Sequence, residues 1–97
     1  VFFSPTQGSR PLAELVQRLL KEAVDPSNSR SPAQISDSVY LMNHISCRAI
    51  LVECGFLSNP EEDRLLQSSA YQTKLAAVLT AGWLRRGEAE SFITDTK

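Results

Sequence analysis

With 97 residues, 42% hydrophobic and 22% charged, the chain has material for one modest hydrophobic core and no second domain. A formal charge of −1 and a pI near 5.8 give no long-range pull on nucleic acid or an anionic membrane, and no basic run exceeds the pair Arg85-Arg86. No apolar run approaches the roughly 20 residues that cross a bilayer, and no charged-then-apolar leader opens the chain, so a soluble domain or part of one is expected.

The opening Val1 to Phe3 is β-branched and aromatic and stops at Ser4-Pro5 and Gly8, the pattern of a strand leaving into a loop. From Ser9 the apolar residues Leu12, Leu15, Val16, Leu19 and Leu20 recur at helical spacing. This predicts an amphipathic helix to about Ala23, with Ser9 as N-cap and Pro11 in its first turn. Asp25 to Pro32 is rich in serine, asparagine and proline and reads as an exposed loop. A short helix follows, capped by Ser36 or Asp37, with Val39, Tyr40, Met42 and Ile45 as its candidates for burial.

Ala49 to Val52 is a continuous apolar run, suited to a strand covered on both faces in a parallel or mixed sheet, and Glu53 stands at its C-terminal end. Asn59, Pro60 and Glu62 predict a capped helix starting at Pro60. Ser69 to Gln72 predicts the cap of a last helix that ends near Gly87. Its stripe of Tyr71, Leu75, Val78, Leu79, Gly82 and Trp83 is expected to pack on the sheet, with Trp83 in the core. Residues 88–97 have no period and read as a flexible tail. The alternation of strands and helices indicates an α/β layered fold, a central sheet flanked by helices. Two strands are too few for a stable sheet, so the remaining strands are expected from outside this chain.

Cys47 and Cys54 are seven residues apart on opposite faces of the predicted strand and should not bridge each other. With a single histidine, His44, and no CxxC, they fall short of a zinc signature. Cys54 is read as a small buried filler, and Gly55 as a place where a Cβ would block a close approach. His44 reads as a partly exposed polar group near a helix end. Glu61, Glu62 and Asp63 suit the positive end of a helix dipole better than an acid/base pair. Arg30 could contact a substrate or stabilise its loop. Spacing alone leaves Glu53 open between a cap or ion-pair partner and a catalytic acid at the end of a strand, where α/β sheets bind ligands.

The stretch "ILVECGFLSNPEED", with "VYLMNH" before it and "YQTKLAAVLTAGW" after it, resembles the C-terminal half of the zinc-dependent N-acetylmuramoyl-L-alanine amidases, bacterial enzymes that cut peptidoglycan. The resemblance covers most of Val1 to Arg86, and its specific part is Leu51 to Glu62. It implies that residues 1–87 are the C-terminal portion of an amidase catalytic domain acting outside the cytoplasm on the cell wall. The bond cut would join the lactyl group of N-acetylmuramic acid to L-alanine. Glu53 corresponds to the family's catalytic glutamate, the general acid/base acting on a zinc-bound water. The zinc ligands, two His and one Glu, belong to segments that precede "VFF" in the family. The isolated chain is therefore expected to be inactive, without zinc, and prone to self-association through unpaired strands. Arg48 departs from the family, which commonly has proline there. A non-catalytic amidase-like fragment or a module that binds the cell wall or a partner is the alternative.

Overall fold

The computed structural model describes residues 1–55 and 59–87. Within these, the elements in chain order are β1 (Phe2–Phe3), α1 (Ser9–Ala23), β2 (Ala33–Gln34), α2 (Tyr40–His44), β3 (Ile50–Leu51), α3 (Pro60–Leu66) and α4 (Ser69–Leu84). The fold is mixed α/β. Its sheet has three strands in the order β2-β1-β3, with β1 parallel to β2 and antiparallel to β3.

The third strand corrects the expectation of two. β2 lies in a polar stretch, both its residues are exposed, and only backbone pairing to β1 makes it a strand. Ala33 N–H donates to the Val1 carbonyl at 3.1 Å and Ile35 N–H to that of Phe3 at 2.9 Å. Such a strand carries no apolar alternation by which a sequence could announce it.

Helix α1 supplies the centre of the core: Leu12, Ala13, Leu15 and Val16 are buried, as the helical spacing predicts. The expected cover on both faces of β3 is not met within this chain. Ile50 is half-buried and lines an apolar cavity of ≈ 290 Å³ with Leu12, Val16, Val52, Leu79 and Trp83. Leu51 points to the other face and is 41% exposed. Helix α4 departs from its prediction as well, packing mainly on α1 instead of directly on the sheet. Gly82 lets it do so, since a Cβ there would stand 2.7 Å from Val16 Cγ2. Trp83 consequently sits at the rim of the cavity, 48% exposed, with the Arg86 guanidinium over its ring at 4.3 Å.

The helix starts are set by side-chain acceptors. Asn59 Oδ1 accepts from the N–H groups of Glu61 and Glu62, as predicted. Helix α4 is capped by Ser68, one residue before the predicted cap, whose Oγ accepts from Tyr71 N–H. Helix α1 begins after Gly8 in the left-handed region at φ 84°, with no side-chain cap. Ser9, the predicted N-cap, is fully buried and employed elsewhere.

Its hydroxyl belongs to a network that joins β1, α1 and the approach to β3. Ser9 Oγ accepts from Ala49 N–H at 2.9 Å and lies 2.6 Å from Thr6 Oγ1, which itself donates to the Cys47 carbonyl at 2.7 Å. Since Thr6 has one hydroxyl proton, Ser9 must donate to Thr6 in that arrangement. Ser4 Oγ donates to the Met42 carbonyl at 2.8 Å, and Ser4 N–H to the Ala49 carbonyl at 3.1 Å. Ser9→Ala leaves the Ala49 N–H without its acceptor in a water-poor setting. Urea unfolding should show a loss of about 1–3 kcal/mol. Glu14→Ala, which removes an exposed pair with Arg10, should leave the curve near wild type.

Candidate active site

The register of the sheet decides what its ends bring together. Phe2 stands opposite both Ala33 and Leu51, so Val1 continues level with Pro32 on one side and Val52 on the other. Beyond this end lie Glu53, following β3, and the loop carrying Arg30, preceding β2. Glu53 and Arg30 are both exposed. The carboxylate is thus open to solvent in this chain, because nothing among the described residues covers that end.

The remaining candidates lie elsewhere. His44 ends α2, exposed, its Nδ1 2.7 Å from the Tyr40 carbonyl and its ring stacked on that of Tyr40 at 3.8 Å. Cys47 and Cys54 are free and exposed, so Cys54 is not the buried filler expected. It follows β3 on the uncovered end of the sheet, where apolar sequence context no longer implies burial. Gly55 fits its reading: a Cβ would meet Leu66 Cδ1 at 3.2 Å. Phe56, in the most distinctive part of the motif, lies outside the described residues, as does the tail 88–97. Glu61 pairs with Arg64 on the surface of α3, in keeping with a helix-start role.

No group of three or more His, Cys, Asp or Glu among the described residues could hold a metal ion. The described residues do not themselves form the zinc site that the sequence resemblance implies. What sequence reading missed is the Ser4-Thr6-Ser9 network that fixes the start of β3. Its only signal is three hydroxyl residues clustered between a strand and a helix, a pattern equally suited to a loop and a cap.

A profile of the N-acetylmuramoyl-L-alanine amidase family matches residues 1–84. The chain belongs to this family. Among its relatives, a germination-specific N-acetylmuramoyl-L-alanine amidase of Bacillus subtilis (strain 168) is 35% identical over 74 residues, covering 76% of this chain and 30% of the relative. Among solved structures, the CwlD amidase of Clostridioides difficile, in complex with the GerS lipoprotein, superposes with a TM-score of 0.82 at 34% identity. That match covers 90% of this chain and 44% of the solved one. The chain therefore spans less than half the length of either relative. No helix among its described residues is long and apolar enough to cross a membrane.

Proposed function

We propose that the protein containing this chain is a peptidoglycan hydrolase that cleaves the amide between the lactyl group of N-acetylmuramic acid and L-alanine, with Glu53 as its general acid/base. The observation that carries this reading is the family match through Val1 to Leu84, which includes a glutamate at the exposed end of β3. Residues 1–87 would form the C-terminal portion of the catalytic domain. Its substrate places the work outside the cytoplasm, in the cell wall.

Amide hydrolysis needs a proton taken from the attacking water and one given to the departing nitrogen. A carboxylate fixed at a strand end does both: Glu53 accepts the water's proton as the oxygen adds to the carbonyl, then delivers it to the amine of L-alanine. Its exposure within this chain leaves room for substrate. The zinc ion, with ligands supplied from outside this chain, would lower the pKa of water and polarise the amide carbonyl.

Two features support a need for partners: β2 and β3 each have one edge unpaired among the described residues, and Leu51 is exposed. The isolated 97-residue chain is expected to self-associate by strand pairing, to hold no stoichiometric zinc and to leave peptidoglycan uncut. Sedimentation, metal analysis and a hydrolysis assay check this. A zinc-loaded, active monomer would contradict it and return His44 to consideration as a ligand.

A further inference from the structure

Arg30 stands in a loop folded by its own turns. Asp25 Oδ1 accepts from Ser27 Oγ at 2.7 Å, Asn28 N–H donates to the Asp25 carbonyl at 3.1 Å, and Arg30 N–H donates to Asn28 Oδ1 at 2.8 Å. These bonds fix the backbone from which the side chain extends. Three residues later β2 locks onto β1, which carries β3 on its other side. The Arg30 loop and Glu53 therefore flank one sheet end, on outer strands two spacings, about 10 Å, apart. Arg48, by contrast, precedes β3 and lies at the other end of that strand.

Resting on the amidase reading above, we infer that Arg30 is a substrate-specificity residue whose guanidinium binds a carboxylate of the stem peptide on the L-alanine side of the scissile bond. The stem carries carboxylates beyond L-alanine, and a catalytic glutamate repels them. A cation one short peptide's length away offsets that repulsion. An extended chain advances about 3.3–3.6 Å per residue, so a carboxylate one or two residues beyond the amide falls within reach of Arg30 when the amide lies against Glu53. The planar guanidinium can grip such a carboxylate through two N–H groups, which lysine cannot.

The test uses the full-length, zinc-loaded protein and two soluble glycan substrates, one with the free carboxylate on the residue after L-alanine and one with that group as a carboxamide. Wild type should prefer the carboxylate by about tenfold in kcat/KM. Arg30→Ala should remove the preference by lowering kcat/KM for the carboxylate substrate alone, and Arg30→Lys should restore part of it. Equal losses on both substrates, or a wild type indifferent to the change, would overturn the specificity role while leaving the amidase reading intact. A wild type that cuts neither substrate would overturn both.

Discussion

Replacing Glu53 by glutamine in the full-length, zinc-loaded protein should lower peptidoglycan hydrolysis by about 10²–10⁴-fold, with zinc content unchanged. Glutamine keeps the shape of the side chain and its hydrogen-bonding reach, and removes only the ability to take and return a proton. Glu53→Ala should lose a similar factor. Because Glu53 is exposed at the end of β3, neither change empties a core site, and the unfolding curve should stay close to wild type. Release of L-alanine amino termini from purified peptidoglycan measures the activity, and elemental analysis the metal. Zinc lost together with activity would make Glu53 a ligand, and substantial residual activity would return it to a structural role.

The largest stability effect is expected at Gly82. It is buried where α4 crosses α1, and Val16, 1% exposed, fills the space that a side chain would need. Gly82→Leu should cost about 3 kcal/mol, since close-packed interiors absorb extra methylenes only through displaced side chains or backbone. In Gly82→Ala the clash is partly offset by about 1 kcal/mol of improved helix propensity. Val16→Ala removes the methyl group that the new Cβ meets. The double variant Gly82→Ala/Val16→Ala should therefore be more stable than the sum of the single losses implies, by about 1 kcal/mol. Denaturant titration of the four proteins in the full-length protein gives the coupling. Strict additivity would mean that the two helices separate to admit the side chain instead of pressing it on Val16.

Legibility in the sequence followed how local the determining physics was. The boundaries of α1 and the Asn59 cap depend on residues within a turn or two, and both were readable. β2 depends on a backbone partner more than 30 residues away in the chain, and its own side chains announce nothing. Trp83 was misplaced for a related reason: periodicity identifies an apolar face without saying what lies opposite it, and here a cavity does. Similarly, Ser9 was given the role its local position suggests, whereas its hydroxyl is taken by Ala49, 40 residues on. Glu53 could be picked out because it interrupts an apolar run. The family resemblance, and not the spacing, turned that interruption into a catalytic assignment. The convergence of Arg30 and Glu53 on one sheet end needed the register of all three strands.

The Ser9 bond has a mechanical meaning for the strand that leads to Glu53. β3 has only two residues in its ladder, yet the segment leading into it is gripped through Ala49 by a buried hydroxyl on α1. The strand is thus built like a cantilever, clamped at its root on the first helix and carrying the carboxylate at its free end. Such a beam keeps its direction whether or not another strand is laid along its open side. The direction in which the chain leaves β3 is thus set at its root, by this chain's own interior.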